Sequence, residues 1–145
     1  MRNMKTNYRL YQETDTRDLI CLMRDLGYPV EEIDFKKTIK EIIKREGTIF
    51  IAETENRIIG SACAVIDVRL AEGISGEIVS LVVSKDFRGF GVGRKLIDIS
   101  EEWICKKVNK IRIRANVIRT DAHDFYTHLG YKEKKQQKVF IKKMS

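Results

Sequence analysis

A glycine-rich segment between residues 82 and 96 carries the clearest chemical signal in this sequence. It places Arg88, Gly91 and Gly93 after an apolar run from Glu77 to Val83 and before a stretch with helical spacing. Glycines let a backbone turn tightly and leave no Cβ between its N–H groups and a ligand. A helix N-terminus behind such a loop presents unpaired N–H groups and a partial positive charge. The segment therefore predicts an anion-binding loop that suits a pyrophosphate.

Two familiar nucleotide-binding loops differ from this one at their last positions. A P-loop ends in Gly-Lys-Ser/Thr, so that a hydroxyl holds magnesium, but Gly93 is followed by Arg94 and Lys95. A dinucleotide-binding fingerprint that begins at Gly91 needs a glycine where Leu96 stands. What remains is Arg-x-x-Gly-x-Gly after the strand Glu-Ile-Val-Ser-Leu-Val-Val. This pattern resembles the acetyl-CoA-binding motif of the GNAT superfamily of N-acetyltransferases, and an ordinary strand-to-helix turn is the alternative.

A second segment, residues 110–131, contains an alternating pattern followed by a short helical one. In its first part, the apolar residues Ile111, Ile113 and Ala115 alternate with arginines. This alternation predicts a half-buried strand. Asp121 is expected to cap a short helix that ends at Gly130. The pattern Ala-x-x-Phe-Tyr-x-x-x-Gly-Tyr, from Ala122 to Tyr131, resembles the second GNAT hallmark.

The resemblance implies a set of residues that bind acetyl-CoA. In GNAT proteins the fourth strand is usually bulged and separates from the fifth, so that its backbone N–H groups are free for the pantetheine. Here those groups would belong to Leu81, Val82 and Val83. The loop itself would contribute Arg88, Gly89, Phe90, Gly91, Val92, Gly93 and Arg94. The second motif would add Asn116, Arg119 and Phe125, with Arg119 standing where many members have an asparagine.

Acetyl transfer to an amine needs a base for the ammonium form of the acceptor and an acid for the leaving thiolate. Glu77 opens Glu-Ile-Val-x-x-x-Val, which resembles the strand of the catalytic glutamate in the histone acetyltransferase branch. A glutamate half-buried among apolar residues suits a general base near neutral pH, and an exposed glutamate at a strand start is the alternative. Tyr126 stands where GNAT proteins place a tyrosine near the coenzyme sulfur. It is the predicted general acid, with ring packing alone as the alternative. Asp67 and Glu72 are expected to form an acidic rim that attracts a cationic amine.

The histidines and cysteines are expected to take no part in the reaction. His123 and His128 are five residues apart on a short helix, do not share a face and are predicted to be surface residues. Cys21, Cys63 and Cys105 show neither metal-ligand spacing nor a disulfide framework. Cys63 and Cys105 are predicted to be small buried hydrophobes. The sequence therefore predicts a reaction without a metal, in a reducing cytosol.

The order of apolar patterns predicts a mixed α/β chain, with residues 1–145 as a single domain. The predicted elements are a strand, two helices, three strands, a helix, a strand, a helix and two strands. Gly73 and Gly76 are placed in a loop before the motif strand, and Val139 to Ile141 form the last strand. The resemblance implies a mainly antiparallel sheet of six or seven strands, flanked by about four helices, with the fourth and fifth strands splayed.

Charge and hydropathy narrow the functional classes. The formal net charge is +7, and basic residues crowd the glycine loop, as suits the phosphates of coenzyme A. A nucleic-acid-binding module without catalysis is the alternative of a different class, although no such motif is recognised. No stretch reaches the apolar length of a membrane span and the N-terminal segment lacks a signal-peptide pattern, so a cytoplasmic protein is expected.

The predicted activity is acetyl-CoA-dependent N-acetylation of a primary amine, by direct attack in a ternary complex. A small-molecule amine is favoured as the acceptor, and a protein N-terminus or lysine is the alternative. Exposed strand edges also make a homodimer an expected assembly.

Overall fold

The computed structural model describes residues 5–145 of the chain. Contacts divide the chain into two compact units, Met1–Ile113 and Arg114–Ser145. Elements of the first unit are β1 (Asn7–Leu10), α1 (Thr16–Asp25), α2 (Glu32–Lys44), β2 (Thr48–Thr54), β3 (Arg57–Arg69), β4 (Gly73–Val83), α3 (Val92–Cys105) and β5 (Ile111–Ile113). The second unit contains α4 (Thr120–His128). The assignment of residues 1–145 to a single domain stays a prediction.

The strands form one sheet with the order β1-β2-β3-β4-β5. Neighbours are antiparallel except for β4 and β5, which run parallel. The predicted mixed, mainly antiparallel sheet is confirmed, but the predicted number of strands is wrong, because residues 5–145 form five instead of six or seven. Val139, Phe140 and Ile141, expected as the last strand, are 81%, 88% and 85% exposed and have no regular structure. Three apolar residues between lysines bury no face, so nothing there offsets the entropy lost on ordering a strand.

Helices cover both faces of the sheet. On one face, α1 and α2 pack Leu19, Leu22 and Ile39 onto a cluster that includes Ile49, Ile51, Cys63 and Val82. On the other face, α3 packs Val92 and Leu96 onto Ala52, Ile59 and Ala62. Burial raises the pKa of the Cys63 thiol to about 11, as expected for a small hydrophobe in the core. Within residues 5–145 no helix has the length and apolar character that crossing a membrane requires.

Close packing of α3 on β4 corrects the prediction for Gly76. This residue lies inside β4 and not in a loop. A Cβ at Gly76 would lie 2.1 Å from the Cγ2 atom of Ile104, which is fully buried. The glycine is therefore required by a tertiary contact. Cys105 is the other correction on this helix, because it is exposed; it follows Ile104 by one residue and points about 100° away from the buried stripe.

Candidate active site

The glycine loop connects the end of β4 to α3 through a short 3₁₀ turn at Lys85–Phe87. Gly89 and Gly91 both have positive φ angles, 84° and 81°, and Gly91 is the N-cap of α3. A Cβ at either position would meet no atom within 4 Å. Their backbone conformation, and not crowding, therefore requires glycine. The open space beside them, next to the exposed ring of Phe90, leaves the loop accessible to a ligand.

The N-terminus of α3 has the electrostatics of an anion site. The N–H of Lys95 donates the first intrahelical hydrogen bond, to the carbonyl of Gly91 at 3.0 Å. The N–H groups of Val92, Gly93 and Arg94 therefore precede the helical ladder, and Val92, which is 1% exposed, anchors them on the sheet. No acidic residue lies in this first turn, whereas α1, α2 and α4 each carry at least one in theirs. The positive end of the α3 dipole is thus left for an anion from outside.

Three cationic side chains add full charges around this turn. They are Arg88, Arg94 and Lys95, and all three are exposed to solvent. Side chains of this kind meet phosphate oxygens without first giving up a buried partner. The seven predicted loop residues, 88–94, thus lie together at the N-terminus of α3 and in the loop before it.

Strands β4 and β5 separate beside this loop, as the resemblance implies. Their pairing consists of Gly76↔Ile111, Glu77↔Arg112 and Ile78↔Ile113, and β4 then continues alone on that side. The predicted strand through Ala115 is too long, because Ala115 lies beyond the end of β5 and is exposed.

The direction of the free N–H groups on β4 follows from one hydrogen bond. The N–H of Ser84 donates to the carbonyl of Ile59 on β3, at 2.7 Å. Because successive N–H groups of a strand alternate in direction, those of Leu81 and Val83 point away from β3. On that side β4 no longer pairs with β5. The N–H of Val82 points toward β3, and its side chain is buried in the core. Of the three predicted backbone donors, the geometry favours Leu81 and Val83.

A β-bulge in β4 sets which side chains share a face. Ala64 pairs with Ile78 and Cys63 with Ser80, so Val79 is an extra residue without a partner on β3. Glu77 and Val82 are five residues apart and would lie on opposite faces of a regular strand. The extra residue restores them to the same face, the one covered by α1 and α2.

Glu77 is buried, and its carboxylate is part of an ion-pair network. The residue is 4% exposed, and the Nε of Arg112 donates a hydrogen bond to its Oε1 at 2.7 Å. The same guanidinium donates from Nη1 to Glu72 at 2.9 Å and from Nη2 to Asp67. The alternative of an exposed glutamate is therefore excluded. Sequence reasoning missed Arg112, whose position opposite Glu77 depends on the register of two strands far apart in the chain.

The expected acidic rim is charge-compensated. Arg69 also donates to Asp67, from Nε at 2.7 Å. The hydrogen bond from Arg112 holds the pKa of the Asp67 carboxyl below its ordinary value, against the opposing effect of burial. Asp67 and Glu72 thus bind arginines of the protein. This corrects the expectation that the two carboxylates form an acidic rim that attracts a cationic amine.

In the second unit, Asn116 and Arg119 shape the turn that leads into α4. The Asn116 Oδ1 accepts the N–H of Ile118 at 3.1 Å, and its carbonyl accepts the N–H of Arg119 at 3.0 Å. Arg119 is the N-cap of α4, so the prediction that Asp121 caps this helix is wrong. Asp121 lies within the first turn, where its charge favours the helix dipole.

Aromatic rings cluster on α4 around the predicted general acid. Tyr126 and Phe125 are half-buried, with ring centroids 5.4 Å apart in an edge-to-face arrangement. Tyr131 follows the helix, its ring centroid 6.2 Å from that of Tyr126, and its N–H donates to the Tyr126 carbonyl at 3.0 Å. The second motif thus folds as one aromatic unit closed by Gly130, whose φ is 94°.

The two histidines differ in exposure. His128 is exposed as predicted, and its Nδ1 lies 2.7 Å from the carbonyl of Asp124. His123 is half-buried, which the sequence did not predict, and its Nε2 lies 2.9 Å from the carbonyl of Asn116. No group of three or more His, Cys, Asp or Glu side chains within residues 5–145 is arranged to hold a metal ion. A reaction without a metal stays a prediction.

Comparison with known families identifies the domain. The family model described as Acetyltransferase (GNAT) domain matches residues 45–133, which is more than half of the chain and includes both motifs. The chain belongs to the GNAT acetyltransferase family. The resemblance based on Arg-x-x-Gly-x-Gly and on the aromatic motif is therefore confirmed.

This GNAT domain is also similar to individual N-acetyltransferases. The chain is 33% identical to an uncharacterized N-acetyltransferase of Chlorobaculum tepidum and 30% identical to one of Methanocaldococcus jannaschii. The matches cover 74% and 59% of this chain, but only 64% and 53% of the two relatives. An aminoglycoside N-acetyltransferase in complex with CoA has the same fold, with a TM-score of 0.85 at 20% identity, over 99% of this chain and 98% of its own.

Proposed function

We propose that this GNAT domain binds acetyl-CoA at the glycine loop and transfers the acetyl group to a primary amine. The observation that carries the proposal is the N-terminus of α3, where a Cβ at the N-cap Gly91 would meet no atom within 4 Å and the first turn has no acidic side chain. This arrangement fits a pyrophosphate, because backbone donors, the helix dipole and exposed arginines all favour negative charge.

The separation of β4 and β5 supports the second part of the proposal. Bound acetyl-CoA would supply an acetyl group activated as a thioester. The N–H groups of Leu81 and Val83 point away from β3, to the side where β4 pairs with no strand beyond Ile78. This direction suits a ligand laid along β4. Donors of this kind also stabilise negative charge that develops on a carbonyl oxygen during acyl transfer.

Glu77 and Tyr126 are the proposed proton-transfer groups. Glu77 takes a proton from the ammonium form of the acceptor, and Tyr126 donates one to the leaving thiolate. A phenol, with an ordinary pKa of about 10, is protonated at neutral pH and suits the second role. The burial of Glu77 next to the point where the strands part supports the first.

The proposed acceptor is a small amine. Support comes from the shared fold, since the structural neighbours of this chain include aminoglycoside N-acetyltransferases. A protein N-terminus or an internal lysine is the competing acceptor class.

A free-thiol assay tests the activity. The protein is incubated with acetyl-CoA and, in separate reactions, a linear polyamine, an aminoglycoside, a peptide with a free N-terminus and a peptide whose only amine is a lysine. We expect thiol release that depends on a small amine, with a matching acetyl gain in the product by mass spectrometry. Release with peptides alone would move the acceptor to proteins. No release with any amine would overturn the proposed function.

Nucleic-acid binding is separated from this activity by a second experiment. Calorimetric titration with acetyl-CoA is compared with filter binding of oligonucleotides at two salt concentrations. We expect saturable binding of acetyl-CoA and only weak, strongly salt-dependent retention of oligonucleotides. Tight oligonucleotide binding without acetyl-CoA binding would favour the nucleic-acid-binding class.

A further inference from the structure

We infer that Arg112 is a positioning residue that holds the Glu77 carboxylate at the point where β4 and β5 separate. The inference rests on the proposed role of Glu77 as general base. It assigns a function to a residue that lies outside both sequence motifs.

The register of the two strands places the pair. Glu77 and Arg112 are direct neighbours across the parallel pairing, and only Ile78↔Ile113 follows before the pairing ends. The ion pair thus lies one residue pair before the point where the pairing of β4 with β5 ends. Loss of the Glu77–Arg112 contact would release the orientation of the carboxylate.

The guanidinium is itself fixed from three directions. Its Nε binds Glu77, while its two terminal nitrogens bind Asp67 on β3 and Glu72 in the β3–β4 hairpin. A planar fork with fixed donors matches three carboxylates, whereas a lysine ammonium is a point charge on a flexible stem. Arg112 therefore fixes the orientation of the Glu77 carboxylate and also supplies an opposite charge.

Charge also links Arg112 to Glu77. Arg112 contacts the Glu77 carboxylate from β5, and Asp67 on β3 and Glu72 in the hairpin contact the same guanidinium. Burying a carboxylate is costly unless an opposite charge lies at hydrogen-bond distance. Arg112 thus gives the buried Glu77 carboxylate a partner of opposite charge.

A matched control exists at the opposite edge of the sheet. Arg9 on β1 donates to both oxygens of Asp15, at 2.7 and 2.8 Å, and from Nε to Glu53 at 2.9 Å. Asp15 is buried, as Glu77 is. Two strands, β2 and β3, lie between β1 and β4. Replacing Arg9 removes the same kind of fork without reaching the candidate site.

The experiment compares the parent protein with Arg112→Met, Arg112→Lys, Arg9→Met, Arg9→Lys and Glu77→Gln. For each protein, the thermal midpoint is measured, and kcat and KM for acetyl-CoA are measured across pH with the most active amine of the panel.

We expect Arg112→Met to lower kcat about tenfold or more, with KM for acetyl-CoA within about twofold of the parent value. Arg112→Lys keeps a positive charge without the planar fork and leaves kcat reduced. The Arg9 variants lower the thermal midpoint and leave kcat unchanged.

Two outcomes would overturn the inference in distinguishable ways. If Glu77→Gln lowers kcat at neutral pH while Arg112→Met keeps the parent kcat, Glu77 is the base but Arg112 does not position it. If Glu77→Gln itself keeps the parent rate and profile, the proposed base role fails and the inference fails with it. If Arg112→Met does not fold, Arg112→Lys tests the inference instead. A parental kcat in Arg112→Lys would show that the planar guanidinium does not position Glu77.

Discussion

Replacing Gly91 with alanine separates the effect of the glycine loop on folding from its effect on binding. Gly91 has a φ of 81° at the N-cap of α3, and an added Cβ would meet no protein atom within 4 Å. An L-residue in the left-handed region costs about 1–2 kcal/mol. Gly73, at the start of β4, has the same φ and the same open surroundings. Gly73→Ala is therefore a matched control that adds the same strain away from the loop.

The expected loss of affinity follows from the position of the added methyl group. At Gly91 it would stand between the first N–H groups of α3 and a bound pyrophosphate. A hydrogen bond to a charged group contributes about 1.5–3 kcal/mol. Loss of one such bond raises the Kd for acetyl-CoA about tenfold to 150-fold.

Calorimetric titration with acetyl-CoA and urea unfolding measure the two effects. We expect both variants to lose about 1–2 kcal/mol in free energy of unfolding, and only Gly91→Ala to lose affinity. If the two variants bind acetyl-CoA as tightly as each other, the glycine loop is not the site, whatever their stabilities.

Three further changes test other parts of the account. Tyr126→Phe keeps the ring and removes the hydroxyl, so turnover should fall about tenfold or more with KM for acetyl-CoA unchanged; a parental rate would leave Tyr126 only a packing role. Gly76→Ala should lower the free energy of unfolding by about 1–3 kcal/mol, because its methyl group meets Ile104; parental stability in urea would contradict that contact. A hydrogen bond from Arg9 holds the pKa of Asp15 below its ordinary value, so this pair stabilises the protein above about pH 4 and loses its effect as pH falls further. Urea midpoints of Arg9→Met should therefore depend less on pH below about 4 than those of the parent, and parallel curves would refute this.

Local sequence determines the parts of the fold that were predicted well. The glycine loop was identified because positive φ angles at Gly89 and Gly91 are a property of the backbone itself. The helix that follows is predicted because apolar residues recur at helical spacing after the loop. The structure buries Val92, Leu96, Ile97, Ser100 and Ile104 on this helix.

Features that depend on distant neighbours were missed. The sequence places Gly76 in a loop because a glycine there is attributed to a turn, whereas Ile104 of α3 is the reason for it. The sequence gives Arg112 no role, because it does not reveal the register that sets this residue opposite Glu77. The end of β5 at Ile113 was also missed, since the alternation continues after the pairing stops.

An amide NMR titration tests the central claim most directly, because it reports on each backbone N–H proposed to meet acetyl-CoA. We expect the amide signals of Gly93, Leu81 and Val83 to shift and to saturate with one common Kd, while those of Arg9 and Glu53 at the far edge of the sheet stay in place. Saturating shifts elsewhere, with the loop and β4 signals unmoved, would contradict the proposed acetyl-CoA site.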